Sequence, residues 1–468
     1  MTVAAPRPRT ARQGLTDFTL PVRRSDIDEI APIDGTADWL PADRQAAFDA
    51  FETLPAESNV LYTTYFDLRT VQLHAARLNG SPATVPVPVA LPEGTDGLLV
   101  IDEGDVVGSA LSPEAAAAGV EFSTIADLAR RDPERVRIML DGGVTLPADD
   151  RFAQLTRAMW AQGVVLDIPA GVLLTRPVIV RWIAGAPDRA LLSRTVIALG
   201  DGATATFLEE LVGSSPAAGA PAAAGPRATD PGQSFIAGTL EVHLGRDATL
   251  EISSLQELPV TTVAFQHRHA VVGEGATLHW AVAHLGSRLV RSRVDNRLEG
   301  DRSSVEQVEI VFGGGDQVFD LTSYTHHVGR DTTGNLLSKG ALLDRARSYM
   351  KGMIVIDRSA VGTDSFLGEF GMNLSKATRS VAIPSLEIDQ PDCRRAAHAS
   401  SVGPIDESQL FYLESRGIPP DEARKFIVLG FLEPVVARVP LADAQERLRE
   451  LLEQKWAAGS GAGAFTGA

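Results

Sequence analysis

Short strands recur through the middle of this chain. Apolar and polar residues alternate at 240–244, 277–285 and 305–312, and alternation with a period of two predicts half-buried β-strands. The motif glycine, two residues, Ala-Thr begins at Gly200 and again at Gly245 and Gly273, the last two copies 28 residues apart. Residues 214–234, between the first two copies, are rich in Ala, Gly and Pro, and we interpret them as a disordered insertion. Without the insertion, the recurrence falls in the range of about 20–50 residues that is typical of solenoids.

A stacked β-solenoid would explain this recurrence physically. One coil of short strands cannot cover its own apolar face, whereas coils stacked about 4.8 Å apart pair every backbone and enclose an aliphatic interior. Only 6% of the residues are aromatic, which suits an interior of stacked Val, Ile, Leu and Ala. An antiparallel sandwich with glycine turns would give similar strands, so the spacing alone leaves both folds open.

Helical periodicity flanks the strands on both sides. Amphipathic stretches at 43–54 and 123–136 predict helices of an α+β domain. After the strands, Asp406 is placed to cap a helix that ends at Gly417, and Pro419–Pro420 begin a second one. We therefore divide the chain into a disordered tail (1–14), an N-terminal helical or α+β domain (15–145), a β-solenoid core (146–402), a C-terminal helical domain (403–456) and a disordered tail (457–468).

Composition narrows the class of protein. The 468 residues carry a net charge of −17, which opposes association with nucleic acid or anionic lipid. The single cysteine, Cys393, excludes an internal disulfide and a cluster site made of several thiolates from this chain. No apolar run is long enough to cross a membrane, the N-terminus has no signal-like segment, and no G-x-x-x-x-G-K-[ST] motif is present. We expect a cytoplasmic protein that binds no nucleotide itself.

Sequence motifs near the C-terminus are more specific. H-x-x-x-V-G begins at His398, Q-L-F-Y-L-x-S-R-G-I covers 409–418, and E-A at Glu422 precedes G-F at Gly430. This block resembles the SufB/SufD family, the scaffold subunits of the SUF iron–sulfur cluster assembly machine. Segments 163–180 and 346–366 are similar to core strands of that family, so the resemblance spans about residues 150 to 456. It implies a mainly β protein, with a right-handed parallel β-helix core between helical terminal domains.

The resemblance implies candidate ligands for an iron–sulfur cluster. His398 has the family position at which SufD-type chains contribute a histidine at the interface with SufB, and neutral imidazole is a competent iron ligand. Cys393 is a candidate soft ligand, although most lone cysteines are small buried hydrophobes. Many SufD-type chains have a cysteine two residues before the histidine, where this chain has Ala396. SufB-type chains have a glutamate directly after it, where this chain has Ala399.

Other histidines are weaker candidates. His267 and His269 are two residues apart, so they share one face of a strand and could share a metal, but no third ligand is evident. His326 and His327 should point to opposite faces of a strand and cannot chelate together.

The resemblance implies a function in assembly. We expect a non-enzymatic, SufD-like subunit that pairs with a SufB-like scaffold subunit, docks a SufC-like ABC ATPase and shares a transient iron–sulfur cluster with its partner. Phe411, Tyr412 and Phe431 are the expected docking anchors, and the second helix should have an apolar face of Ala423, Phe426, Ile427 and Phe431. The alternatives are a SufB-type scaffold, a homodimer of SufD-like chains, and a carbohydrate-active β-helix enzyme. The last would need an acid–base pair on a groove lined with aromatics.

Overall fold

Two long sheets form the centre of the protein. The structure is a computed structural model that describes residues 20, 22–30, 33–78, 88–140, 148–214, 232–439 and 441–460. From residue 162 onward, successive strands alternate between the two sheets, and each strand pairs in parallel with the strand two positions along the chain. The earlier strands add two antiparallel pairs and two parallel pairs at the first end of the sheets. This connectivity is a parallel β-solenoid, so the predicted mainly β fold with a solenoid core is confirmed.

The strands divide equally between the sheets. Sheet A contains β1 (Arg77–Leu78), β4 (Glu121–Thr124), β5 (Gln162–Ile168), β7 (Arg189–Leu199), β9 (Ser234–Leu244), β11 (Thr262–Val272), β13 (Leu289–Leu298), β15 (Val318–His327), β17 (Arg347–Ile356) and β19 (Arg379–Ile388). Sheet B contains β2 (Gly97–Asp102), β3 (Asp105–Leu111), β6 (Val178–Ala184), β8 (Thr204–Gly213), β10 (Thr249–Glu257), β12 (Thr277–His284), β14 (Ser304–Gly313), β16 (Thr333–Leu342), β18 (Asp364–Asn373) and β20 (Arg395–Gly403).

The helices lie before and after these coils. They are α1 (Leu40–Thr53), α2 (Pro113–Ala117), α3 (Ile125–Arg131), α4 (Pro133–Leu140), α5 (Arg151–Met159), α6 (Glu407–Ser415), α7 (Pro420–Val436) and α8 (Ala442–Ser460). The single helix expected at 123–136 is two helices, because Pro133 lacks the N–H that would continue the first one. Asp406 caps α6 by accepting a hydrogen bond from the Ser408 backbone N–H, and Gly417 follows that helix with a φ of +87°.

The repeated glycine motif is a stacked turn. Its third residue has a positive φ in successive coils, at Gly202, Asp247 and Gly275. Each of these residues donates its backbone N–H to a carbonyl of the next coil, as Gly275 does to Asp301 at 2.8 Å. Glycine suits this position because it adopts positive φ without steric cost. A Cβ on Gly275 would also lie 2.2 Å from the Asp247 carboxylate. The motif therefore marks one corner of the solenoid.

Three apolar layers follow from this arrangement. The interior is filled by the inward side chains of both sheets, among them Ile252 and Leu278. The N-terminal helices α1 and α5 cover the outer face of sheet A. Helices α7 and α8 cover the outer face of sheet B, where Val428 and Leu448 are fully buried.

The expected domain boundaries are partly visible. Strands β2 and β4, from the segment assigned to the N-terminal domain, pair with β6 and β5, so the two sheets begin within that segment. Helix α8 continues to Ser460, four residues beyond the expected end of the C-terminal domain. The tail at 1–14, residues 215–231 of the insertion and residues 461–468 lie outside the described residues.

Candidate functional site at the open end of the solenoid

The last two strands form an uncovered end of the solenoid. β19 is the final strand of sheet A and β20 that of sheet B. Among the described strands, each pairs with one neighbour, β17 or β18. Most β19 side chains are only half-buried, and several of those in β20 are exposed. A free strand edge presents unpaired N–H and C=O groups, so this end can accept further strands.

His398 lies within β20. The alternation of apolar and charged residues at 386–388 predicts the end of the last strand, with His398 at its junction with the helical domain. Instead, a complete strand separates β19 from α6, and His398 is its fourth residue. Its register partner is Leu367, which is fully buried inside the solenoid. Paired residues of parallel strands share a face, so His398 lies on the interior face of the terminal strand. Its side chain remains exposed because no further coil covers it within the described part of the chain.

Cys393 precedes the same strand. It lies two residues before β20 and is a half-buried free thiol. Across the described parts of the chain, no three His, Cys, Asp or Glu side chains are grouped closely enough to hold a metal ion. Iron–sulfur clusters are usually held by four ligands. One imidazole and one thiol therefore do not complete a cluster site, and a second chain would have to supply the other ligands.

Glu369 is a buried acid that the sequence analysis missed. It faces the interior from β18, and its register partner is Ser400, two residues after His398. Burial is the main cause that raises the pKa of Glu369 to about 8, and the nearby Glu309 carboxylate adds to the shift. The backbone N–H of Ile383 donates to it at 2.9 Å, which opposes the shift. Strand alternation around Leu367 could have shown that Glu369 points inward.

Glu369→Gln should change the pH dependence of stability. A carboxyl whose folded-state pKa is raised gives stability below its unfolded pKa, near 4.5, and that stability is lost as the pH rises through about 8. Glutamine cannot ionise, and its side-chain oxygen still accepts the Ile383 N–H. Between pH 5 and pH 8 we expect the free energy of unfolding to shift in favour of the variant by a few kcal/mol, at most about 1.4 kcal/mol per pH unit.

Urea unfolding followed by circular dichroism at pH 5, 6.5 and 8 measures this shift. Glu387→Gln is the control, since Glu387 is an exposed acid on the adjacent strand β19, and it should leave the pH profile unchanged. Equal profiles for native protein and Glu369→Gln would show that Glu369 is ionised throughout.

The four histidines that the sequence made weaker candidates all lie on strands of sheet A. His267 is fully buried on the outer face of sheet A, 3.0 Å from the Asp150 carboxylate. His269 shares that face, as expected, but the two rings belong to no metal-binding group among the described residues. His326 lies outside, 2.8 Å from Asp357. His327 lies inside, between the hydroxyls of Thr332 and Ser365, and burial lowers its pKa to about 4. The prediction that His326 and His327 face opposite ways is confirmed.

Helix α6 forms a second exposed surface beside the open end. None of its residues is buried. Phe411 is 72% exposed and Tyr412 58% exposed. Phe426 of α7, which was expected on the apolar face of that helix, is 54% exposed. We define these three aromatic residues as the C-terminal aromatic patch.

Phe431 belongs to the packing of α7 instead. It is half-buried in the cluster between α7 and sheet B. The Lys339 ammonium lies 4.7 Å from the centre of its ring and donates to its backbone carbonyl at 2.7 Å. The buried side chains of α7 are Ala423, Val428, Leu432, Val435 and Val436. Of the three expected anchors, Phe411 and Tyr412 are therefore exposed to a partner. Phe431 already packs within its own chain, against sheet B and Lys339.

Fold and site together define a parallel β-solenoid protein whose uncovered end carries a histidine and a cysteine. Residues 182–431 match the family model of the SUF system FeS cluster assembly SufBD core domain. The chain therefore belongs to the SufBD family, and its role lies in iron–sulfur cluster assembly.

Relatives agree with this assignment. The iron–sulfur cluster assembly protein SufD of Bacillus subtilis is 27% identical over 347 residues, 74% of this chain and 76% of the relative. A SufBD family protein of Staphylococcus saprophyticus is 25% identical over 363 residues, 78% of this chain and 75% of the relative. One from Mycobacterium tuberculosis is 32% identical over 201 residues, 42% of this chain and 51% of the relative. The chain is thus similar to SufD, as the motifs predicted.

In the described part of the chain, no helix combines the length and the apolar character that crossing a bilayer requires.

Proposed function

We propose that this chain is a non-catalytic, SufD-like subunit of the SUF machine, which pairs with a SufB-like scaffold subunit in the cytoplasm and docks a SufC-like ABC ATPase. The observation that carries this proposal is the uncovered end of both sheets, with His398 on the interior face of its last strand. The iron–sulfur cluster is the cargo of this assembly and is held only transiently.

Strand pairing supports a β-solenoid partner. The free edges of β19 and β20 can each bind one more strand, and main-chain hydrogen bonds then supply affinity. Side chains on the interior face of this end, such as Leu386 and Val402, are incompletely buried and would be covered by the next coil. A partner pairing here would place its own side chains beside His398. The missing cluster ligands would then come from that partner.

The alternatives are less well supported. The family resemblance implies that a SufB-type scaffold has a cluster-ligand cysteine in its late core strands, whereas the only cysteine of this chain, Cys393, precedes β20. A carbohydrate-active enzyme has no support from the family match. Pairing of two copies of this chain uses the same strand edges, and we propose it for the isolated subunit.

The C-terminal aromatic patch supports ATPase docking. Large exposed aromatics are frequent anchors of protein interfaces, and α6 contributes little to the core because it buries none of its side chains. Removing the whole C-terminal region would be a poor test, because α7 and α8 cover apolar residues of sheet B such as Leu255 and Phe312. A point substitution on α6 avoids this problem.

Phe411→Asp should greatly weaken binding of the SufC-like ATPase. Truncating an interface anchor commonly costs 2 kcal/mol or more, which corresponds to about 30-fold in Kd. Stability should change by less than about 0.5 kcal/mol, because the ring is exposed. Isothermal titration calorimetry with the purified ATPase measures the Kd.

Leu173→Asp is the matched control for this substitution. Leu173 is 65% exposed and lies near the first coils, away from α6. Its variant should bind the ATPase normally. If Phe411→Asp also binds normally, the patch is not the dock.

A further inference from the structure

Residues 57–66 cross the outer face of sheet A towards the open end, and we define them as the crossing segment. Glu57 begins the crossing, with its carboxylate 3.5 Å from Arg291 of β13 and 3.4 Å from Lys351 of β17. Asn59 then donates its side-chain amide to the hydroxyl of Tyr324 at 3.0 Å. The segment thus passes over successive coils in the direction of β19.

Tyr62 anchors the part of the crossing segment that lies nearest the open end. Its side chain is fully buried, and its hydroxyl donates to the backbone carbonyl of Gly352 at 3.0 Å. The side chain of Ser385, which belongs to β19, lies near the Tyr62 hydroxyl. Tyr65 then packs against Tyr349 of β17, with ring centres 6.3 Å apart. The segment therefore reaches the last strand of sheet A and turns back.

Two apolar side chains at this turn are exposed. Val60 is 82% exposed and Leu61 57% exposed, although their neighbours Asn59 and Tyr62 are both held by hydrogen bonds. We define Val60 and Leu61 as the tip. Because the tip is fixed from both sides, its apolar surface is presented beside β19 in a defined position.

We propose that the tip is a contact site for the SufB-like subunit that pairs with this end of the solenoid. The inference rests on the proposed function and deepens it by adding an N-terminal contact to the strand pairing. A strand added to the free edge of β19 would lie about 4.8 Å beyond it. That position is within reach of side chains on a segment whose Tyr62 lies near Ser385 of β19. The apolar tip would then be buried at the rim of the new interface.

Charge disfavours a second copy of the chain as the occupant. The chain carries a net charge of −17, so two copies repel each other, and this repulsion weakens self-association. The tip itself carries no charge, and an apolar surface on the partner would match it. We therefore assign the tip to the SufB-like subunit.

The test is the Kd between the SufB-like subunit and a Val60→Asp/Leu61→Asp double variant, measured by biolayer interferometry. We expect the complex to weaken 10- to 100-fold, about 1.4–2.8 kcal/mol, with no change in thermal midpoint, because both side chains are exposed. Ile138→Asp is the matched control. Ile138 is 60% exposed on α4, which packs near β7 rather than the open end, and its variant should bind normally. Val60→Ile with Leu61→Met should keep native affinity.

Each of the other possible results contradicts one specific part of the proposal. If the double variant binds with native affinity, the tip assignment is wrong and the pairing proposal is unaffected. An equal loss of affinity caused by Ile138→Asp has the same consequence. Weakened self-association with unchanged SufB-like binding assigns the tip to a second copy and overturns our assignment. If the native chain does not bind the SufB-like subunit at all, the pairing proposal fails, and the tip assignment fails with it.

Discussion

Replacing Asp150 with alanine should lower the free energy of unfolding by about 3–5 kcal/mol, because this removes one partner of a buried ion cluster. Asp150 is fully buried under the N-terminal region, and its carboxylate lies 2.8 Å from Arg291 and 3.3 Å from Arg293. It also caps α5 by accepting the backbone N–H groups of Phe152 and Ala153. The substitution thus leaves buried guanidinium groups less compensated and the helix uncapped.

The pKa of Asp150 agrees with this expectation. Burial alone would raise it, but His267, Arg291 and Arg293 hold it well below its usual range. Because the folded-state pKa is depressed, the stabilisation is present above about pH 4, the unfolded value, and is lost as the pH falls further. Near neutral pH the full effect of the substitution should therefore be visible.

Guanidinium unfolding followed by circular dichroism at pH 7 measures the loss. Asp150→Asn keeps an oxygen that can cap α5, so it should recover about 1 kcal/mol relative to alanine. Asp149→Ala is the matched control. Asp149 is largely exposed and contacts Arg293 at 3.2 Å, and a surface pair of this kind contributes about 0–1 kcal/mol. A loss for Asp150→Ala no larger than that of Asp149→Ala would contradict the account of this cluster.

The repeated turns made the fold predictable. Every coil has to reverse direction at the same corner, so the same requirement for positive φ returns at Gly202 and Gly275 and leaves a visible motif. Parts of the strands between them alternate between apolar and polar residues, because both sheets face an apolar interior. The spacing of the motif therefore predicted a solenoid or a sandwich, and the family motifs favoured the solenoid.

The terminal strand was not predictable in the same way. β20 has little apolar alternation, because its neighbour on one side is absent and most of its side chains are incompletely buried. Periodicity reports burial, so an uncovered strand leaves a weak signal. His398 was consequently assigned to a junction and not to a strand. Its candidacy as a cluster ligand came only from the family motif.

The charged side chains inside the solenoid could not be predicted from the sequence, for a different reason. Arg268 donates to Glu209 across the solenoid at 3.0 Å, although 59 residues separate them in the chain. His284 pairs with Glu309 in the same interior. A polar residue in a strand is normally interpreted as solvent-facing, and only the stacking of coils shows that these side chains face one another. Glu369 was missed in the same way.

His398→Ala should abolish most cluster binding while leaving the complex intact. The side chain is exposed on the last strand, so its removal should change stability by less than about 0.5 kcal/mol. Imidazole is an iron ligand, and no other histidine lies on β19 or β20. If His398 were only a structural hydrogen-bonding group, the expected cost would be about 1 kcal/mol of stability, with cluster content unchanged in the folded fraction. Cys393→Ala is the comparison variant and shows whether the nearby thiol contributes.

The most direct measurement is the iron and acid-labile sulfide content of the complex after anaerobic co-expression with the SufB-like and SufC-like subunits. Native and His398→Ala complexes are compared at equal subunit stoichiometry. Our account predicts that the three chains co-purify, that the native complex holds a cluster, and that the variant complex loses most of its iron and sulfide. A full cluster in an unchanged His398→Ala complex, or the absence of any complex with the native chain, would contradict it.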